Sequence, residues 1–454
     1  MSDKQVLFDT LKHKQTSRIP WVPFAGVHAG KMTGKNAVQV LRDEDALFEA
    51  LMAVNRLYQP DGQPVMFDLQ IEAEILGCEL MWPEDCPPSV KTHPLQNTMT
   101  VPCLCTLPKV TDGRIPLVCR ATRRFKDAVG EHTAVYGLVC GPFTLASHLR
   151  GNDLFMDMYD DEDFVKDLLR YCAECAKAVA GYYIDAGADV IAVVDPLVSQ
   201  ISADHFNEFL GEPYRDLFSN LREKGVFSSF FVCGDASRNI ESMCETAPDS
   251  ISVDENVDLP AAKRVTDRYN IAIGGNIPLT TVMLHGTQAD NMKCVLELVD
   301  SLENTRNFIL APGCDMPYAT PVENGIAVSQ AALNPNFTRE MVKNYVQAEE
   351  TVDITLPDYE NLQKPLMEVF TLDSASCAAC TYMMGAATAA RKRFQNAFDL
   401  AEYKYTVKEN IARCKKMGVK NLPSLYINGK LRFSSIIPSP GMLDRLIQEI
   451  LDEA

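Results

Sequence analysis

The sequence predicts an α/β protein in which a (β/α)8 TIM barrel is followed by a second, smaller α/β domain. Short apolar segments alternate with helical segments as far as about residue 334, the pattern of a parallel sheet covered by helices. Polar residues follow these apolar segments where they end, as expected at the active-site face of such a barrel. The composition then changes, and a new alternation of strand and helix begins near residue 366.

Length and charge narrow the possible classes of protein. A chain of 454 residues is too long for one ordinary core and is expected to form two domains. A net charge of −18 argues against a nucleic-acid partner. No apolar run approaches the roughly 20 residues that cross a bilayer, and the first residues lack the apolar core of a secretion signal. We therefore expect a cytoplasmic protein with no membrane segment.

Fifteen cysteines are scattered along the chain. Their scatter is unlike the framework of a small secreted disulfide protein. Most are expected to be small buried hydrophobic residues. So many free thiols suit a reducing cell and an anaerobic metabolism.

Eight strands are predicted in the first domain, each followed by polar or helix-forming sequence. The predicted strands are 21–27, 65–67, 135–139, 190–194, 227–232, 251–253, 271–273 and 308–311. Helices are predicted at 2–15, 44–57, 164–186, 206–224, 291–302 and 338–350. The region 70–132 is rich in Pro, Cys and charge and is interpreted as an insertion with a helix and a hairpin. Long irregular insertions in a compact domain usually form active-site lids or surfaces that bind a partner protein.

Residues whose side chains could bind ligands or take part in catalysis follow the predicted strands. They are His28, Asp68, Cys140, Asp195, Cys233, Asp254, Asn276 and Cys314. Because the carboxyl ends of the strands meet at the mouth of a barrel, Cys233 and Cys314 are predicted to lie together there as a thiolate site.

Two thiolates at one mouth are suited to a soft metal such as zinc. A metal-bound thiol is deprotonated at neutral pH and becomes a nucleophile, which suits transfer of an alkyl group. The alternative is that both cysteines are small core residues. Asp254 is a candidate catalytic acid, while Asp195 and Asn276 are candidates for substrate binding. Asp195 is alternatively a cap of the following helix.

The second domain contains Cys377-Ala378-Ala379-Cys380 at the predicted start of a helix running to about residue 398, after a strand at 367–372. A helix N-terminus stabilises the thiolate of the first cysteine, and the second lies one turn away. Downstream, residues 417–430 read as Gly-Val, a proline, a strand and an Asn-Gly hairpin. Together these features resemble the thioredoxin fold. The resemblance implies that Pro423 is a cis-proline, that Cys377 attacks and that Cys380 resolves. Two buried structural cysteines, or a zinc knuckle, are the alternatives.

Several stretches of the first domain resemble the uroporphyrinogen decarboxylase superfamily over about residues 1–345. They are 72–77 (EAEILG), 141–146 (GPFTLA), 185–189 (DAGAD), 275–277 (GNI), 312–315 (PGCD) and 320–324 (TPVEN). Within the superfamily they are most similar to the cobalamin-dependent methyltransferases, including methylcobamide:coenzyme M methyltransferases. Decarboxylases of the superfamily use an early arginine-rich loop, and residues 25–31 here (AGVHAGK) contain no arginine.

The resemblance implies a zinc site made by a His-x-Cys on the fifth strand and a Cys on the eighth. Cys233 and Cys314 match the two cysteines, but Phe231 occupies the place of the histidine. A third ligand has to come from elsewhere, and His28, Glu74 and Asp235 are the candidates. His28 and Glu74 are also candidates for binding substrate.

The resemblance further implies a methyltransferase that exchanges a methyl group between a small methylated compound or thiol and cobalamin. The sequence has no Asp-x-His-x-x-Gly corrinoid motif, so cobalamin is expected on a partner corrinoid protein that contacts His28 and the 70–132 insertion. The alternatives are a uroporphyrinogen decarboxylase-like lyase and a redox adaptor with an inactive barrel. The tail cysteines could keep the barrel thiols reduced. The expected domains are a barrel at 1–345, a linker at 346–365 and a thioredoxin-like domain at 366–454.

Overall fold

The structure is a computed structural model that describes residues 3–346, 352–375 and 377–453. The chain divides into two compact units, Met1–Val346 and Gln347–Ala454, and each is described by itself. The last part of the predicted helix 338–350, and part of the expected linker, lie outside the described residues.

A seven-stranded parallel sheet forms the centre of the first unit, within the part of the chain described. Its strands are β1 (Gly62–Pro64), β4 (Ala134–Cys140), β5 (Val190–Val194), β6 (Phe227–Val232), β7 (Ser250–Val253), β8 (Ala272–Ile277) and β9 (Phe308–Pro312), in that spatial order; β2 (Leu80–Met81) and β3 (Ser89–Val90) form a separate hairpin. The strands are buried nearly throughout, because helices cover the sheet.

Helices follow the strands in alternation through this unit. They are α1 (Lys4–Leu11), α2 (His28–Lys31), α3 (Ala37–Arg42), α4 (Glu44–Tyr58), α5 (Ile71–Ile75), α6 (Ile115–Val129), α7 (Pro142–Arg150), α8 (Leu154–Asp160), α9 (Glu162–Asp185), α10 (Ala203–His205), α11 (Gly211–Glu223), α12 (Ile240–Cys244), α13 (Leu259–Arg268), α14 (Gln288–Asp300), α15 (Val322–Leu333) and α16 (Pro335–Val342). Short 3-10 turns occur at Leu104–Thr106, Gly151–Asp153, Pro196–Gln200 and Ser237–Asn239, and π turns at Phe206–Leu210 and Leu279–Leu284.

The first two predicted strands differ from the structure. The segment predicted at 21–27 forms only a parallel bridge from Trp21 to Leu310. On the other side, the Trp21 carbonyl accepts from the Asp61 N–H at 2.9 Å, at the start of β1. This segment therefore hydrogen-bonds at both edges of the curved sheet, giving a TIM-barrel-like arrangement. The second strand lies at Gly62–Pro64 rather than 65–67, because its register is set by pairing with β4.

The insertion contains the predicted helical and hairpin elements. The β2–β3 pair is antiparallel, and α6 spans fifteen residues. Several large apolar side chains of the insertion are exposed, namely Met81, Met99, Leu104 and Val110. None of the helices in the described residues is long and apolar enough to cross a membrane.

The second unit is a four-stranded sheet with helices. Its elements are β10 (Leu366–Thr371), α17 (Ala378–Arg393), β11 (Asp399–Lys404), α18 (Lys408–Met417), β12 (Ser424–Ile427), β13 (Lys430–Ser434) and α19 (Pro440–Glu453). The spatial order is β11-β10-β12-β13, with β10 and β11 parallel and the other pairs antiparallel. Apolar residues of the strands and helices, including Met367, Met383 and Leu443, form its core.

Candidate active site

Cys233 and Cys314 lie together at the mouth of the curved sheet. Cys233 follows β6, Cys314 follows β9, and the two form a disulfide with their Cα atoms 5.9 Å apart. Two other strands separate β6 and β9 in the sheet, so the bond connects strand ends across the mouth. Both cysteines are partly exposed. The structure thus pairs the two cysteines as a disulfide rather than as two thiolates.

The turn after Cys233 depends on a glycine and an acid. Gly234 has φ +87°, and a Cβ there would lie 2.7 Å from the Ser199 Oγ, so an ordinary side chain would be strained and would clash. The Gly234 N–H donates to the carboxylate of Asp254. Asp254 also accepts from the Asn256 N–H at 2.9 Å. Asp254 therefore holds the loop that carries Cys233.

Three acids lie at the ends of β7 and β9, of which Asp254 is buried and Glu255 and Asp315 are partly exposed. Burial raises the pKa of Asp254. Burial, with the neighbouring charge of Asp254, raises the pKa of Glu255 to about 8. Burial also raises the pKa of Asp315 well above its usual range. At neutral pH Glu255 is therefore mostly protonated and able to donate a proton.

Asp315 is a site residue that the sequence analysis did not select. Its carboxyl group accepts from the backbone N–H groups of Gly26 and Met316, and Oδ1 is buried without a partner among the described residues. A Cβ on Gly26 would lie only 2.5 Å from that oxygen, so the close approach requires a glycine. The available signal was an acid next to Cys314 at a strand end.

His28 is fully buried rather than open to a ligand. Its Nε2 lies 2.8 Å from the Tyr58 hydroxyl and its Nδ1 lies 3.2 Å from the Tyr318 carbonyl oxygen. Because a carbonyl only accepts, Nδ1 carries the proton and Nε2 accepts from Tyr58. Burial lowers the pKa of His28 to about 4. Both ring nitrogens are thus occupied, which disagrees with the predicted contact between His28 and a partner protein.

Glu74 belongs to a buried ionic cluster in the insertion. The Arg114 Nε donates to Glu74 at 2.8 Å, and the Arg114 Nη1 donates to Asp68. Glu72, two residues earlier, is fully buried, and burial raises its pKa to about 7. Its Oε1 accepts from the Cys140 N–H at 3.1 Å, while Oε2 has no partner among the described residues. Glu72 is therefore a stronger candidate for chemistry than Glu74, although the sequence analysis chose Glu74.

Asp195 and Asn276 make structural contacts. Asp195 accepts from the N–H groups of Phe143 and Thr144, each at 2.9 Å, and from the Thr144 and Tyr214 hydroxyls. It therefore caps the start of α7, a helix that precedes it, and not the following helix. The Asn276 Nδ2 donates to the carbonyl oxygens of Asp254 and Val257 at 2.9 and 2.8 Å. Asn276 lies within β8 rather than after it.

The predicted zinc ion does not fit these residues. Asp235 accepts from the Ser237 N–H at 3.1 Å, while His28 and Glu74 have the partners given above. Across the described ranges, no group of three His, Cys, Asp or Glu side chains is placed to hold a metal ion. Phe231 is fully buried against Phe24 and Phe67. Among the described residues the cysteine pair therefore has no third protein ligand, which structural and catalytic zinc sites require.

The cysteines of the second unit lie at the start of α17. Cys377 is the N-cap residue and is partly exposed, and its Sγ accepts from the Cys380 N–H at 3.4 Å. Cys380 is fully buried, and its Sγ accepts from the Leu372 N–H at 3.3 Å. Burial raises the pKa of Cys380 well above that of a free thiol. The peptide bond between Leu422 and Pro423 is cis.

Comparison with known proteins identifies the first unit. Residues 2–334 match the uroporphyrinogen decarboxylase (URO-D) family. The chain belongs to this family. The match spans the whole curved sheet and both cysteines of the disulfide.

Curated relatives of the chain include methyltransferases of Methanosarcina species. The methylcobamide:CoM methyltransferase MtbA of Methanosarcina acetivorans is 27% identical over 341 residues, covering 74% of this chain and 98% of that protein. The methylcobamide:CoM methyltransferase MtaA of Methanosarcina barkeri is 30% identical over 265 residues, covering 56% of this chain and 74% of that protein.

A solved structure supports the fold. The methyltransferase from Methanosarcina mazei superposes with a TM-score of 0.66 at 24% identity, covering 73% of this chain and 98% of that one. The first unit, with its TIM-barrel-like sheet, thus has the α/β fold of that solved methyltransferase.

Proposed function

We propose that this protein is a corrinoid-dependent methyltransferase. It moves a methyl group between a small methylated compound or thiol and the cobalamin of a separate corrinoid protein. The observation that carries the proposal is its similarity to MtbA over nearly the whole of that protein, together with two cysteines at the mouth of the sheet. Cobalamin supplies the methyl-carrying cobalt when the partner is bound.

In this proposal the cysteine pair acts when it is reduced. A thiolate of Cys233 or Cys314 binds or attacks the methyl group, or orients the thiol that exchanges it. Asp254 positions Cys233 through the Gly234 N–H. Glu255 follows β7 and Asp315 follows Cys314 after β9, and these two acids are proposed to exchange protons with the thiols.

The corrinoid partner is proposed to dock on the insertion rather than on His28. Apolar side chains exposed within one insertion, namely Met81, Met99, Leu104 and Val110, suit a protein interface. His28 is buried and takes no part in this contact.

The second unit is proposed to be a thioredoxin-like thiol–disulfide domain. Three features support this: the mixed four-stranded sheet, the Cys-x-x-Cys at the start of α17, and the cis peptide bond before Pro423. A half-exposed first cysteine and a buried second one suit attack by Cys377 and resolution by Cys380.

The proposal is tested by assaying the reduced full chain with methylcobalamin plus a thiol, and separately with uroporphyrinogen. We expect demethylation of methylcobalamin, and loss of it by at least about tenfold in Cys314→Ser. Cys294→Ser, in α14, is the matched control and should retain activity. Decarboxylation of uroporphyrinogen without methyl transfer would overturn the proposal in favour of the lyase.

One observation favours a second function. Phe231 stands where the resemblance implies a histidine, and the described residues contain no group of three side chains placed to hold a metal ion, which suits a redox adaptor that works through Cys377 and Cys380. If Cys377→Ser removed every activity of the protein while Cys233→Ser removed none, the adaptor function would replace the methyltransferase.

A further inference from the structure

Cys103 and Cys105 differ in exposure from the other free cysteines. Thirteen cysteines are free, all within the described residues, and of these only Cys103 and Cys105 are exposed. They lie in the insertion, on either side of Leu104, whose side chain is also exposed. Free cysteines are usually buried as small hydrophobic residues. Packing therefore does not account for two accessible thiols at this place, and their reactivity is the property to examine.

A short 3-10 turn holds the two thiols next to each other. Cys103 immediately precedes this turn, which spans Leu104–Thr106, and its Sγ accepts from the Cys105 N–H at 3.2 Å. The Cys105 thiol also donates a hydrogen bond to the Cys103 sulfur. A 3-10 turn keeps the Cα atoms of residues i and i+2 within the roughly 4.4–6.8 Å that a disulfide spans. Rotation of the two side chains is therefore sufficient to bring the sulfurs together.

Hydrogen bonds attach this turn to the long helix α9. The Thr106 hydroxyl donates to the Cys103 carbonyl oxygen at 2.7 Å and lies 2.9 Å from the hydroxyl of Tyr171. Further along the chain, the Tyr182 hydroxyl donates to the Pro108 carbonyl oxygen at 3.1 Å. Both tyrosines belong to α9. The two thiols are thus held in one arrangement, which reduces the entropy that is lost when a bond forms between them.

The same contacts give the two thiols different roles. The Cys105 thiol and the Cys105 N–H both donate to the Cys103 sulfur and lower the pKa of Cys103. The pKa of Cys105 is raised, because its proton is held by that hydrogen bond. An accessible thiol with a lowered pKa beside a second thiol is the arrangement of a redox-sensitive cysteine and its resolving partner. At Cys119 and Cys294, by contrast, burial raises the pKa.

We propose that Cys103 and Cys105 form a peroxide-reactive dithiol that closes to a disulfide within the insertion. The inference rests neither on methyl transfer nor on the second unit. The Cys103 thiolate attacks one oxygen of hydrogen peroxide, the O–O bond breaks, and Cys103 becomes a sulfenic acid while the leaving hydroxide takes a proton and becomes water. The Cys105 sulfur then attacks the Cys103 sulfur, the S–O bond breaks, and a second water leaves with the Cys105 proton. Two electrons pass from the dithiol to the peroxide.

This modification is reversible and changes the surface of the insertion. An external dithiol, such as dithiothreitol in vitro, reduces the disulfide again by thiol–disulfide exchange. Leu104 lies between the two sulfurs in the chain and therefore inside the ring that the disulfide closes. The reduced and the oxidised insertion thus present this exposed apolar side chain differently.

The test treats the reduced full chain with limiting hydrogen peroxide, alkylates the remaining thiols, and follows the tryptic peptide 92–109 by mass spectrometry. This peptide contains Cys103 and Cys105 and no other cysteine, so oxidation elsewhere in the chain does not enter the readout. We expect the Cys103–Cys105 disulfide to form at least about tenfold faster than Cys119 or Cys294 is oxidised. Dithiothreitol should restore both thiols.

Two serine variants separate the roles of the thiols. In Cys105→Ser the sulfenic acid on Cys103 has no resolving thiol, and dimedone should trap at least about tenfold more of it than in the wild type. Cys103→Ser should leave Cys105 reduced. Cys294→Ser, which changes a cysteine outside the pair, is the matched control and should form the disulfide at the wild-type rate. Both test variants alter an exposed turn, so circular dichroism should show an unchanged fold.

Two results would overturn the inference. One is oxidation of peptide 92–109 no faster than that of Cys119 and Cys294, with no dimedone adduct on Cys103 in Cys105→Ser. The other is a disulfide from Cys103 to a cysteine of another molecule instead of to Cys105, seen as a cross-linked peptide. Because the readout is the oxidation state of one peptide, absence of methyl transfer would refute the proposed function alone.

Discussion

Phe231 packs against Phe24, with ring centroids 4.7 Å apart, and no part of its side chain is exposed. Phe67 contacts the same ring edge-on at 5.9 Å. Phe231 lies within β6, two residues before Cys233, which follows the strand. An apolar cluster therefore surrounds the position at which the family resemblance implies a histidine ligand.

Replacing Phe231 with histidine should create the missing metal ligand. An imidazole at this position joins the two thiolates of the reduced protein, giving three ligands and an open position, as in catalytic zinc sites. We expect the reduced Phe231→His variant to bind about one zinc per chain, and the reduced wild type to bind far less. Metal analysis by mass spectrometry after dialysis measures the difference.

Phe230→His is the matched control for that experiment. Phe230 faces the opposite side of β6 and packs against Tyr214 and Phe218. A histidine there points away from the cysteines and should bring no zinc. Equal zinc in both variants would show that position 231 is not what excludes the metal.

Acid should destabilise the first unit through His28. Its folded pKa, lowered to about 4 by burial, is below the unfolded value near 6.5. The unfolded state therefore binds the proton first, and this stability is present above pH 6.5 and lost as the pH falls towards 4. The loss amounts to about 3 kcal/mol.

Urea unfolding of the wild type and His28→Gln between pH 7.5 and 4 isolates this contribution. The difference in unfolding free energy between them should shrink as the pH falls. A constant difference over that range would contradict a buried neutral His28. Tyr58→Phe removes only the hydroxyl hydrogen bond and serves as the companion variant.

Asp195→Asn should destabilise the fold rather than change substrate affinity. Four donors converge on the two Asp195 oxygens. In asparagine one of these oxygens becomes an NH2 group, which cannot accept hydrogen bonds from the donors that face it. We expect a loss of about 2 to 4 kcal/mol in unfolding free energy. Asp235→Asn, at a partly exposed acid with one backbone partner, should change stability by less than about 0.5 kcal/mol. A stable Asp195→Asn protein with a raised KM would instead support substrate binding.

The two tail cysteines should differ in reactivity. In the reduced protein, iodoacetamide should alkylate Cys377 at least about tenfold faster than Cys380, because Cys380 is buried and its pKa is raised. Cys414, which is also buried in the second unit, should react as slowly as Cys380. Peptide mapping over time measures all three, and equal rates for Cys377 and Cys380 would exclude an attacking and a resolving thiol.

Sequence patterns predict the positions of most strands of the first unit. The six barrel strands after the insertion consist of apolar runs bounded by turn residues, and the structure places them within a few residues of the prediction. The first two depart from it. Gln63 and Pro64 have little strand preference of their own. The strand β1 forms at Gly62–Pro64 because these residues pair with β4.

The sequence by itself determined the order of strands and helices, the family, and the placement of both cysteine pairs at the ends of predicted strands and helices. These features follow from hydrophobic periodicity and local motifs, which neighbouring residues define. Only the tertiary structure decided what each polar residue contacts. Asp195 accepts hydrogen bonds from donors more than fifty residues away, His28 is enclosed by Tyr58 and Tyr318, and Phe231 packs into an aromatic cluster with Phe24 and Phe67. Such partners come from packing between distant segments, which no local pattern encodes.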